Sequence, residues 1–280
     1  MIAMAVLIPA IFFSCIGEEM MTCGKQIVVQ RIGEGGTGTR GTVISSNTDL
    51  KGEAFGFFAS LTPSSSASQA YFNASAIVNT DLTATISPEQ YWPGMLGASM
   101  KFFSWYPYNG TNAPTTTFSN PEQMVLDYTV DASASAHVDV LAAISTPVWG
   151  QDVSIHFYHT LTKVTFTFKK KAPVPDEVII EKIEFRDVGK SGKLTVTDIP
   201  AATTENAKPA FVWSGVTTGN IASVLSNNNT VTEDATLMGD TFLMLPSDLS
   251  SATAKIVVTT NFGEREFLFK DIVNTNPHSW

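Results

Sequence analysis

The sequence predicts an all-β protein of antiparallel strands in two domains, and three observations carry that prediction. Apolar residues recur at period two in short runs. In residues 152–168, Val153, Ile155, Phe157 and Leu161 take odd positions, and Val164, Phe166 and Phe168 take even ones. The runs are broken by Gly, Pro, Asn and Ser, while Thr, Ser, Ala and Val are abundant and only 15 % of residues are charged, a composition suited to strands. No long segment has the 3.6-residue period of an amphipathic helix. At 280 residues the chain can form two domains that each bury a core.

Residues 1–14 form an apolar run too short for a stable membrane-spanning helix, and Cys15 follows at once. Phe13-Ser14-Cys15 resembles the end of a bacterial lipoprotein signal, which implies that the Cys15 thiol carries lipid (palmitate or a similar acyl chain). Glu18 and Glu19 are similar to the acidic tract that follows such a cysteine in surface-exported lipoproteins. The segment 1–15 is therefore set apart as a signal and 16–24 as a tether. Cys15 and Cys23 are the only cysteines, so no disulfide framework is expected and stability rests on burial.

The first domain is expected over 25–171. Lys25 to Ile32 reads as its first strand, with Ile27, Val28, Val29 and Ile32 available for burial on either face. The glycine-rich stretch from Gly33 to Gly41 has no Gly-Lys-Ser/Thr and no helix pattern after it, so it reads as an exposed loop carrying Arg40 rather than a phosphate cradle. Strands follow at Ala54–Ala59, Ala70–Ala74, Met100–Pro107, Gln123–Tyr128 and His137–Ile144. The one-residue phase slip within 152–168 predicts a bulge or bend near Thr162 and Lys163, the device by which a strand crosses between sheets.

Lys169 to Pro175 breaks the pattern, and the second domain is expected over 176–280. It opens with a strand at Val178–Phe185, which Gly189-Lys-Ser-Gly192 turns into a hairpin with Lys193–Val196. Phe211–Trp213 and Thr241–Pro246 are further strands, 217–240 is mostly polar loop, and Ala254–Thr260 pairs with Glu264–Lys270 across Asn261–Gly263.

Charge and motif exclude several functions. A net charge of −9 opposes nucleic-acid binding, which needs clustered Lys and Arg. His156 and His159, three apart in a strand, point to opposite faces and cannot share a metal; His159 falls on the apolar face as a core imidazole. His137 and Asp139 share a face, but no nucleophile motif accompanies them. No catalysis, metal or cofactor is expected. Trp92, Trp105, Tyr106 and Tyr108 could stack on sugar rings if exposed, which makes a glycan-binding surface lipoprotein the second reading.

Tyr91-Trp92-Pro93, Phe102-Phe103-Ser104-Trp105-Tyr106-Pro107, Asp139-Val-Leu141-Ala142-Ala143, Phe157-Tyr-His159-Thr-Leu161-Thr-Lys163-Val164 and Phe242 to Pro246 resemble, in order and spacing, the fimbrillin or Mfa-like proteins of Bacteroidales-type bacteria. That resemblance implies two tandem transthyretin-like β-sandwiches of antiparallel, Greek-key type and a lipid-anchored precursor at the outer membrane. It also implies partnership with other subunits of a type V pilus by strand exchange. The exchange follows cleavage by an Arg-specific protease, most naturally at Arg40, with Arg31 second. The displaced strand would carry Ile27, Val28, Val29 and Ile32, worth roughly 6–12 kcal/mol if all four are buried. The family continues into a further donor strand after a Trp, whereas this sequence stops at Trp280, so the expectation is a fragment lacking its last strand; the other possibility is a subunit that anchors or terminates the fibre.

Overall fold

The computed structural model of the protein describes residues 24–34, 44, 46–95, 97–171, 177–197, 209–225, 229–250 and 253–273. Its regular structure is almost entirely strand. Among the described residues the helical pieces are short: 3-10 turns at Asn47–Leu50 and Ala134–Ala136, and α1 (Phe269–Val273). None is long and apolar enough to cross a membrane.

Seven strands close into a barrel. Around it run β1 (Val29–Glu34), β4 (Ala84–Ser87), β3 (Gln69–Val78), β2 (Ala54–Thr62), β5 (Ser99–Tyr106), β8 (Leu141–Ser145) and β9 (Val153–His159), and β9 returns to β1. A second sheet is built on the long β11 (Ile180–Thr197). One edge of β11 pairs with β14 (Lys255–Thr260) and, further along, with β7 (Gln123–Thr129). Its other edge pairs with β12 (Ala210–Val224). The outer strands are β15 (Gly263–Leu268) beside β14 and β6 (Thr115–Thr117) beside β7. A two-stranded sheet of β10 (Thr162–Phe168) and β13 (Thr236–Met244) completes the set.

Strands β2, β5 and β8 form a wall with a core on each side. Phe55, Phe57, Ala59 and Leu61 of β2, Phe102 and Tyr106 of β5, and Leu141 and Ala143 of β8 face the barrel core. Phe58, Phe103, Trp105 and Ala142 face the second core, with Leu126, Phe185, Leu194 and Phe242. A sheet covered on both faces reads as a continuous apolar run rather than an alternation, and AFGFFASL and MKFFSWY do so. Phe57 stacks on Phe102 at 5.1 Å on the barrel side, and Phe58 stacks on Phe118 at 3.7 Å on the other.

The expected phase slip is present as a change of sheet. β9 ends at His159 in the barrel, Thr160 and Leu161 form the crossing, and β10 begins at Thr162 against β13. The break lies two residues before the expected one. Thr160 anchors it, its N–H and hydroxyl both donating to the Val140 carbonyl at 3.0 and 2.7 Å.

Two expectations in the second half are overturned. Gly189–Gly192 is no hairpin turn, since β11 continues through it, with shifts of register against β12 between Gly189 and Lys193. A Cβ at Gly189 would lie 3.1 Å from the Leu245 carbonyl oxygen, and one at Gly192 would lie 3.0 Å from Leu245 Cδ2. These glycines permit close packing of the 245–247 segment. Residues 217–240 are not mostly loop, because β12 runs to Val224 and β13 starts at Thr236. The expected domain boundary at 172–175 lies outside the described residues; β6 and β7, which precede it in the chain, belong to the sheet of β11.

Candidate functional site

The segment 25–34 closes the barrel, and its strand β1 makes the barrel's one parallel ladder. β1 runs parallel to β9, from Val29 opposite Val153 to Glu34 opposite Phe157, whereas the other ladders of the barrel are antiparallel. On its other side a single register pair, Val29 with Ala84, joins it to β4. Four backbone bonds extend the seat. The Ile27 N–H donates to Gln90 O at 2.8 Å, the Trp92 N–H to Lys25 O at 2.8 Å, the Val153 N–H to Val28 O at 2.8 Å and the Ile32 N–H to Leu82 O at 2.9 Å.

The sequence reaches this geometry through a second phase slip. Ile27 and Val29 are odd and Ile32 is even, yet all three are buried in the barrel core. A register shift between Val29 and Arg31 turns the chain so that both phases point inward. Val28 is 40 % exposed and drops out of the buried set, because alternation sends it to the opposite face. Three buried aliphatics reduce the transfer energy of the strand to about 5–9 kcal/mol.

The ends of the segment are specific as well. The Lys25 ammonium donates to the Gly150 carbonyl and lies 3.9 Å from an Asp152 carboxylate oxygen; a pair this exposed contributes at most about 1 kcal/mol. Gly33 is buried opposite His156, and a Cβ there would lie 3.0 Å from His156 Nδ1. Arg31 is exposed, with its backbone in register with Ser154. Cys15 and Arg40 lie outside the described residues.

The aromatic residues of the glycan reading are in the wrong place for it. Trp92 is 2 %, Trp105 3 % and Tyr106 9 % exposed; Trp105 and Tyr106 are covered because β5 lies in a wall buried on both faces, and Trp92 packs into the barrel core. Trp92 packs edge-on against Phe102 at 5.9 Å and tilted against Trp149 at 5.2 Å. The Tyr106 hydroxyl donates to Glu53 Oε2 at 3.3 Å, and burial, helped by Glu53, pushes its pKa up to about 12. Tyr108 alone of the four is substantially exposed, at 39 %, and one ring makes no platform.

The histidines separate. His137 is buried; its Nδ1 accepts from the Leu243 N–H at 2.9 Å, and its Nε2–H donates to Asp131 O at 3.1 Å. Burial holds its pKa below the ordinary value. His159 Nδ1 meets Asp139 Oδ2 at 2.8 Å, so His137 and Asp139 serve different partners. Sequence reasoning missed the His159–Asp139 pair, since the pairing of Leu141 with His159 that brings β8 and β9 together has no local signal. Among the described residues no three His, Cys, Asp or Glu side chains gather as a metal site.

A barrel closed by a leading strand parallel to its neighbour, joined through a shared wall to a second β-core, defines an all-β protein. A sequence profile described as fimbrillin-like matches residues 39–277, and the chain belongs to that family. Membership supports a structural, adhesive role at the cell surface. Among solved structures, a candidate cell adhesion protein of Bacteroides ovatus ATCC 8483 is similar at 15 % identity and TM-score 0.52, over 88 % of this chain and 86 % of that one. A candidate adhesin of Bacteroides ovatus is 8 % identical with a TM-score of 0.47, over 91 % and 82 % of the two chains. The first likeness supports the fold. The search of curated proteins found no match.

Proposed function

We propose that the protein is a subunit of a surface fibre that assembles by strand replacement, with β1 as the strand removed. In this reading the barrel and the second core correspond to the two transthyretin-like units of a type V pilin, Cys15 carries the lipid that holds the precursor at the outer membrane, and an Arg-specific protease cuts at Arg40. The carrying observation is that β1 is inserted between β4 and β9, antiparallel to the first and parallel to the second, while the segment 25–34 that contains it buries Ile27, Val29 and Ile32. Its removal would uncover two backbone edges and three apolar sockets, and the strand of a neighbouring subunit satisfies both at once.

Cleavage at Arg31 serves the reading less well than cleavage at Arg40. Arg31 lies inside the β1 ladder with Ile32 buried after it, so a cut there would leave part of the strand in its slot.

The test is N-terminal mass mapping of surface fibres together with the Arg40→Ala/Arg31→Ala double variant. A mature N-terminus at Gly41 and a variant confined to monomer are expected. Polymer of normal length from the double variant would overturn the proposal.

A further inference from the structure

We infer that the slot occupied by β1 selects its incoming strand by a register code: a basic residue, then apolar residues two, four and seven positions later, then glycine, entering parallel to β9. The inference rests on the strand-replacement reading and names the chemistry of the partner, an extended segment of another subunit that carries this pattern. Each position of the code answers to a group that stays in the barrel when β1 leaves.

The first position is set by Gly150 O and Asp152, which face the Lys25 ammonium. A carbonyl and a carboxylate together favour a cation and repel an acid. The apolar positions are those of Ile27, Val29 and Ile32, each at most 2 % exposed in a core that includes Phe55, Phe57 and Phe157. Their uneven spacing comes from the shift between Val29 and Arg31, so a strand of strict alternation would fill two sockets and turn its third side chain outward.

The last position is the most selective. Gly33 is buried with the His156 ring against its open side, and a Cβ would meet Nδ1 at 3.0 Å and Cε1 at 3.1 Å. A β-branched residue there has to move the ring or lift the strand off β9. Direction is fixed by the ladder: the parallel pairing from Val29–Val153 to Glu34–Phe157 places the basic residue at the start of β9 and the glycine near its middle. A strand of the same composition read backwards would offer its glycine to Asp152 and its cation to His156.

The experiment uses the full chain trimmed by an Arg-specific protease and a labelled synthetic peptide of residues 25–34, with bound label measured after gel filtration. The native peptide is expected to exchange into the trimmed protein. The Gly33→Val peptide is expected to bind about ten- to a hundredfold more weakly, the Lys25→Glu peptide several-fold more weakly, and the reversed sequence not at all. Protein carrying His156→Ala is expected to recover binding of the Gly33→Val peptide while leaving the native peptide unaffected, which a general loss of stability would not do. If the native peptide fails to enter, strand replacement itself fails and the code with it. If the native peptide enters and the reversed or Gly33→Val peptide enters equally well, strand replacement stands and the code is overturned.

Discussion

A methyl group added at Gly56 would sit 2.0 Å from Trp105 Cε2, because the indole lies flat across the β2 backbone on the second-core side of the wall. Gly56→Ala must therefore displace a ring that is 3 % exposed, and overpacking of this kind costs about 1–3 kcal/mol or more. The expected result is a clear drop in melting temperature, partly restored when Trp105→Leu is added; equal melting of the wild type and Gly56→Ala would contradict it. His137 makes the other prediction at this scale. Its folded pKa is depressed, chiefly by burial, from an ordinary 6.5, so below that value the unfolded chain takes up a proton that the folded protein refuses. Stability is then full above about pH 6.5 and falls as the pH drops below it. His137→Leu would remove this contribution to the slope, while costing about 1–3 kcal/mol at neutral pH by leaving the Leu243 N–H and the Asp131 carbonyl unpaired. Urea melts at several pH values compare the two slopes.

Among the elements, β1 is the one whose residues divide most sharply. Ile32→Ala should lower stability by about 2–5 kcal/mol, and Val28→Ala just ahead of the strand should change it by no more than about 0.5 kcal/mol, although both residues are aliphatic and belong to one short segment. Equal urea midpoints for both variants would mean that the bulge between Val29 and Arg31 is not where the register places it. The same bulge shows what could and could not be read beforehand. A strand at Lys25–Ile32 was legible from its apolar density, but which of four aliphatics faces inward depends on a kink that alternation alone does not mark. The slip within 152–168 was legible because seven apolar residues fall on two clean phases. The hairpin expected at Gly189–Gly192 failed for a different reason: glycine serves both tight turns and close packing, and only the backbone of 245–247 decides between them. β12 was missed beyond Trp213 because its middle, Thr217 to Asn220, is polar and contains Gly219, although it is held along one edge by β11. Trp105 and Tyr106 were ambiguous because a strand buried on both faces looks the same as one that displays a ring.

For the whole molecule the shared wall ties the two cores together. Phe102 and Phe103 are adjacent in β5, yet one belongs to the barrel and the other to the second core. Melting of either core strips one face of this wall, so calorimetry of the full chain should show one cooperative transition, with the calorimetric and van't Hoff enthalpies in agreement. Two resolved peaks would mean that the halves unfold separately.

The parallel seating of β1 also orders events during synthesis. Its neighbour Ala84 leaves the ribosome early, but its partners Val153 to Phe157 follow β1 by roughly 120 residues, and contacts that distant in sequence form late. Until they arrive the barrel is an open sheet, with Ile27, Val29 and Ile32 uncovered. The nascent chain thus passes through a stage in which a stray strand could take the vacant place, and any factor that escorts it to the cell surface has to guard that gap for as long as translation takes to reach β9.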